Sequence, residues 1–100
     1  MKVNKKTIKD KLKEVLDPEI GISIVDLGLI YQIEIEKEKV KILMTLTTVG
    51  CPLFSLIEEE IKNKLEELGF KKENIFLQLT FDPPWTMERM SKEARAILGI

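Results

Sequence analysis

The chain has 100 residues, of which 44% are hydrophobic and 33% charged, with a formal net charge of −1. That length supports a single domain over residues 1–100 with its own core, and the charge balance offers no electrostatic hold on nucleic acid or an anionic membrane. One cysteine and no histidine exclude an internal disulfide, a Cys-His or Ser-His-Asp catalytic unit, and a structural zinc site built within the chain.

The start, MKVNKKTIKDK, is rich in lysine and lacks the apolar block of a signal peptide, so a cytoplasmic location is expected. Asn4 is placed to cap a first helix, with Val3 and Ile8 as a hydrophobic staple across the cap. Ile8, Leu12, Val15 and Leu16 mark its buried face. Asp17-Pro18 stops it, because a residue before proline is pushed out of the helical region. In EIGISIVDLGL, residues 19–29, Ser23 and Asp26 have capping-box spacing and Gly28 is suited to close a turn, which reads as one helical turn inside a loop.

Two strands follow. Tyr31, Ile33 and Ile35 alternate with polar residues, Lys37-Glu38-Lys39 makes a charged turn, and Val40, Ile42, Met44 and Leu46 resume the alternation. Thr45 and Thr47 fall on the polar, open face of that second strand. The longest uncharged run, Ile42–Ile57, is too short for a bilayer span and is broken by Gly50 and Pro52, so it reads as a strand followed by a helix. Pro52 suits the first position of that helix. Leu53, Leu56, Ile57, Ile61, Leu65 and Leu68 form its stripe, and Gly69 suits its end. Ile75, Leu77, Leu79 and Phe81 give a third strand. Asp82-Pro83-Pro84-Trp85 is a rigid break, and Thr86 is placed to cap a last helix with the face Met90, Ala94, Ile97 and Leu98.

The element order is α-β-β-α-β-α. With one apolar and one polar face on every strand, the expected fold is an α+β two-layer sandwich, a three-stranded mixed sheet with helices on one face. Leu43 and Phe76 interrupt the polar face, as a homodimer or partner patch or as residues packed under a loop. Abundant Lys, Glu and Ile with Gln32 and Gln78 as the only glutamines give a compositional hint of a thermophilic source.

Cys51 sits where the second strand gives way to a helix, and two readings of it stay open. Unpaired N–H groups at a helix start favour a thiolate, a ligand or nucleophile. A free cysteine is also among the residue types most often buried as a small apolar filler. Thr48 is close enough in sequence to share a pocket with the thiol. Asp17, Glu19 and Asp26 each have a local structural explanation: a helix end, a surface loop and a capping box. Trp85, the only tryptophan, either plugs the core or walls a pocket.

DPEIGISIVDLGLIY (17–31), MTLTTVGCPL (44–53) and DPPWTMERMSKEAR (82–95), in that order, resemble the MIP-type, SufT-like and PaaD-like iron–sulfur assembly domain in its stand-alone form. The same domain also occurs at the N-terminus of some Mrp-type ATPases. The resemblance implies a compact α/β fold and a role in maturing iron–sulfur proteins. It singles out Asp17, Pro18, Glu19, Asp26, Leu27, Gly28, Thr47, Thr48, Cys51, Pro52, Pro84 and Trp85, gathered around Cys51 as the functional thiol. One thiol cannot hold a cluster alone, so iron or sulfur would be held transiently and shared with a scaffold, carrier or client protein, with no permanent cofactor. An assembly and delivery factor, not an enzyme, is therefore the leading expectation. The alternatives are an accessory protein of a multicomponent oxygenase and a sulfur-transfer thiol enzyme.

Overall fold

In the computed structural model of the chain, which describes residues 3–18, 20–46 and 54–99, the first helix begins at its expected cap. The Asn4 side chain accepts the Thr7 N–H at 2.8 Å to start α1 (Lys5–Leu12), and Val3 packs on the core beside it. Strands β1 (Ile30–Glu36) and β2 (Lys39–Met44) pair antiparallel, with Glu36 opposite Lys39. That register leaves Lys37 and Glu38 as the turn, with Lys37 at φ +56°. Helix α2 (Phe54–Glu66) precedes β3 (Ile75–Leu79), which lies parallel to β2. The sheet order β1-β2-β3 puts β2 in the middle and makes the sheet mixed. Helix α3 (Lys92–Leu98) closes the order α-β-β-α-β-α. No helix among the described residues is long and apolar enough to cross a membrane.

Helices α1 and α2 pack on each other and on the apolar side of the sheet. Ile8 and Leu12 of α1 meet Ile57, Ile61 and Leu65 of α2 over Ile33, Val40, Ile42 and Met44 in one buried cluster. Each such side chain contributes about 1.5–3 kcal/mol on burial, which outweighs the weak helix propensity of an eight-residue segment. Glu14 and Glu67 are shared between Lys11 and Lys64 at 2.9–3.8 Å, so an ion-pair clasp joins the outer faces of the two helices. After the last residue of α2, Glu66, the chain turns and is closed at the expected Gly69, at φ +106°: the Gly69 N–H reaches Glu66 O and the Phe70 N–H reaches Leu65 O, a left-handed cap with Phe70 buried behind it.

Several expectations are corrected. Helix α1 stops at Leu12 rather than running to the proline; Val15 is still buried, but Leu16 is 52% exposed and bridges Ser23 instead. Thr45 lies beyond the end of β2 and is fully buried, because its N–H turns inward to Leu29 O at 2.8 Å; it is not on the open face. Strand β3 stops at Leu79, before Phe81. Thr86 leads only into a 3₁₀ turn, Met87–Arg89, and it is Ser91 that caps α3 by accepting the Ala94 N–H at 3.1 Å. Met90 and Ala94 are buried as expected, whereas Ile97 and Leu98 are exposed, since so short a helix buries only its first turn.

Candidate functional site

The described residues between Val15 and Leu29 make two consecutive turns. In the first, the Asp17 N–H donates to Ile22 O, the Asp17 C=O accepts the Gly21 N–H, and the buried Asp17 carboxylate accepts the Ile20 N–H at 3.1 Å. Pro18 is exposed at the bend, where its fixed φ favours the turn. Asp17 thus folds its own loop, beyond the end of α1 at Leu12, and does not stand at the helix end expected of it.

In the second turn, Leu27 N–H to Ser23 O and Leu29 N–H to Ile24 O wind the chain once, and Gly28 at φ +77° closes it with its N–H on Val25 O. The turn expected over these residues is present, but the capping box is not formed as expected. The Ser23 hydroxyl accepts the Val25 N–H, not that of Asp26.

What this second turn offers outward is backbone. The Asp26 C=O accepts the Ser91 N–H at 2.7 Å, and the Leu27 C=O accepts the Trp85 indole N–H at 2.6 Å. Gly28 lies against the Arg89 main chain so closely that a Cβ there would collide with the Arg89 carbonyl. Beside these contacts the Tyr31 hydroxyl donates to Pro83 O at 2.8 Å, and the Arg89 guanidinium stacks 4.4 Å over the Tyr31 ring. Asp26, Leu27 and Gly28 are therefore clamped to the segment from Pro83 to Ser91. The exposed Pro84 is held between two anchored neighbours, and Trp85 is half-buried against the core with its polar edge satisfied.

The clamp sits at the end of β2. Thr45 N–H to Leu29 O and Thr80 N–H to Met44 O fix that end between the second turn and the exit of β3. Five of the residues singled out in the sequence, Glu19, Thr47, Thr48, Cys51 and Pro52, lie outside the described residues. Among the described residues no group of three or more Asp, Glu or Cys side chains gathers to hold a metal ion. The titration shifts that stand out lie on the α1–α2 clasp. The Lys11 ammonium, bonded at 2.9 Å, holds the Glu67 carboxyl below the usual carboxylate range, and the Glu67 bond holds Lys11 above its ordinary value.

The pattern that describes iron–sulfur cluster assembly proteins matches residues 5–75. The chain belongs to this family. This iron–sulfur cluster assembly protein is 40% identical over 97 residues to the Fe-S protein maturation auxiliary factor YitW of Bacillus subtilis, across 96% of this chain and 94% of that one. It is 39% identical over 87 residues to the Fe-S protein maturation auxiliary factor SufT of Staphylococcus aureus, across 86% and 98% respectively. Its fold matches the crystal structure of a Bacillus anthracis domain of unknown function, DUF59, with a TM-score of 0.87 and 35% identity, across 95% of this chain and 91% of that one. The Pro83–Ser91 half of the clamp lies beyond the stretch that defines the family, but within the alignment to YitW.

Tyr31, Arg89 and Ser91 belong to the clamp and were not singled out in the sequence. Periodicity counts Tyr31 as one more apolar strand residue, and only its hydroxyl hints otherwise. Arg89 and Ser91 carry no local signal, because what they meet is decided by how the 82–91 segment crosses the molecule.

Proposed function

We propose that this protein is an iron–sulfur cluster assembly and delivery factor in which Cys51 is a transient ligand for iron or sulfur, shared with a scaffold, carrier or client protein. The observation that carries this reading is the clamp. Two of the sequence motifs that carry the resemblance, 58 residues apart at Leu27 and Trp85, are tied together at the end of β2, which precedes the Cys51 motif in the sequence. A carrier needs such a rigid base beside a single exchangeable ligand, since release to a client requires that the chain not enclose its cargo. A lone thiol with no imidazole in the chain meets that requirement: it can occupy one position on a cluster and leaves the others to the partner. A helix start at Cys51 would favour the thiolate by about 0.3–1 kcal/mol, less than one pKa unit, so reactivity would depend on the partner completing the site. Asp17, Glu19 and Thr48 shape the pocket in this reading and do not titrate as catalysts.

The test is an anaerobic pull-down from native cytosol with wild type and Cys51→Ser, with iron and acid-labile sulfide measured in what is retained. Both proteins should melt at the same temperature, and iron–sulfur proteins should be retained by the wild type alone. Equal retention by Cys51→Ser, or full activity of client enzymes in cells carrying only that variant, would remove the thiol from the mechanism.

A further inference from the structure

We infer that the groove between α1 and the free edge of β1 is a docking site for an extended, acidic segment of another protein, which pairs with β1 as an added strand and turns its carboxylates to Lys5, Lys6 and Lys9. Strand β1 lies at the edge of the sheet, with β2 as its one neighbour. Thr80 N–H to Met44 O and Thr45 N–H to Leu29 O set the phase of β2: Val40, Ile42 and Met44 face β3, and Lys39, Lys41 and Leu43 face β1. Their partners Glu36, Glu34 and Gln32 are bonded inward, so the backbone groups of Ile33 and Ile35 turn to the open edge. Beside that edge, Lys5, Lys6 and Lys9 of α1 and residues Ile30–Ile33 line a groove of 370 Å³.

The helix itself does not account for these lysines. Lys5 and Lys6 are the first two residues of α1, directly after the Asn4 cap, and its first turn contains no acid. Unpaired N–H groups give that end of a helix positive character, so lysines there oppose the helix and carboxylates would support it. Further along, Lys11 and Lys13 have carboxylate partners in Glu14, Glu67 and Asp10. Lys5, Lys6 and Lys9 are exposed and have no ion pair among the described residues. Arg89, stacked on the Tyr31 ring that lines the groove, is exposed and without an ion pair among the described residues as well. Positive charge is thus concentrated at one groove of a chain whose net charge is −1.

Lysines also guard sheet edges against chance pairing. A guard stands on the edge strand, however, and the exposed residues of β1 are Gln32, Glu34 and Glu36, while the lysines are carried by α1. What they admit is a strand with negative charge on the side facing α1. Side chains alternate along an added strand, so one set meets the lysines and the other lies beside Gln32 and Glu34 on the open face, where a further acid is unfavourable. The matching segment therefore alternates acidic with neutral residues. A nucleic acid or an anionic bilayer would meet the same cations but would leave the edge groups of Ile33 and Ile35 unpaired. The groove reaches the clamp through Tyr31, whose hydroxyl donates to Pro83 O and whose ring carries Arg89. That the partner is a client or carrier rests on the delivery reading above; the binding itself does not.

The probe is a synthetic peptide of about ten residues alternating glutamate with threonine, and its neutral counterpart alternates glutamine with threonine. Binding to the whole chain is followed by the anisotropy of labelled peptide and by amide exchange in NMR. The acidic peptide should bind at least about tenfold more tightly than the neutral one, weaken with salt, and protect the Ile33 and Ile35 amides. Lys5→Glu/Lys6→Glu should weaken binding about tenfold or more yet melt no lower than wild type, since acids suit the start of a helix. Lost binding in a protein that is no less stable separates recognition from a structural role. Lys71→Glu, just before β3 at the opposite edge of the sheet, should bind as wild type does. Cys51→Ser should also bind as wild type, so failure of the thiol reading leaves this test standing. The proposal is overturned by no binding up to about 1 mM peptide, or by equal binding of the neutral peptide or of Lys5→Glu/Lys6→Glu. Protection that leaves out Ile33 and Ile35, or tighter binding of a single-stranded oligonucleotide or of anionic vesicles than of the acidic peptide, overturns it equally.

Discussion

At Gly28 a Cβ would lie 2.7 Å from the Arg89 carbonyl carbon, in a backbone already at φ +77°. Two separate costs follow for any other residue: the left-handed conformation, and overlap with main chain that cannot rotate away. Gly28→Ala should therefore lower stability by about 2 kcal/mol or more, read from the urea midpoint at unchanged slope. Relief by adjustment is limited, because the neighbouring Asp26 and Leu27 carbonyls are both committed to the same segment as Arg89. The Asp-Leu-Gly motif is thus understood through its main chain. Its middle residue is fully buried, its glycine permits close approach, and its first two carbonyls are the acceptors.

Among the elements, α1 and α2 are joined by apolar packing inside and by the Lys11–Glu14–Lys64–Glu67 clasp outside. The Glu67 carboxyl is held below its ordinary value mainly by its hydrogen bond to Lys11. A carboxyl whose pKa is depressed on folding adds stability that is complete above the unfolded value and fades as pH falls through the lowered one. Glu67→Gln should consequently melt below wild type at neutral pH, by a small margin because the side chain is exposed, and the two Tm values should converge in acid. A difference that persisted unchanged at low pH would place the effect in packing instead. The same elements separate what patterning can and cannot reveal. Asn4 and Gly69 were legible because a cap depends on residues within one turn of it. Ile97 and Leu98 keep helical spacing yet face solvent, because periodicity identifies a face without saying whether anything covers it. Thr86 reads as the cap of the last helix, but only the 3₁₀ turn Met87–Arg89 follows it and the cap of α3 is Ser91. At the clamp, Asp26, Gly28 and Trp85 were legible as motifs. Their junction was not, since carbonyl oxygens and a bare Cα carry no mark in a sequence.

Across the whole molecule one buried cluster draws on α1, the Val15–Leu29 turns, the sheet, α2, and Met90 and Ala94 near the C-terminus. Trp85 packs against that cluster and is at the same time the side-chain anchor of the clamp. Were the 82–99 segment an appendage, it would open at a free energy well below that of the core, as weakly packed units do. Its shared burial argues instead that clamp and core are lost together. Because Trp85 is the only tryptophan, its fluorescence reports the clamp, while far-UV circular dichroism reports mainly α1, α2 and the sheet. The two urea transitions should coincide in midpoint and slope, as for a two-state domain. A fluorescence midpoint displaced to lower urea would show a clamp that opens on its own and could expose the end of β2 without unfolding the protein. Gly28→Ala sharpens the comparison, because it strains the clamp directly and leaves α1, α2 and the sheet untouched. If clamp and core are one cooperative unit, both probes move to lower urea together in that variant; if they are two, only the fluorescence moves.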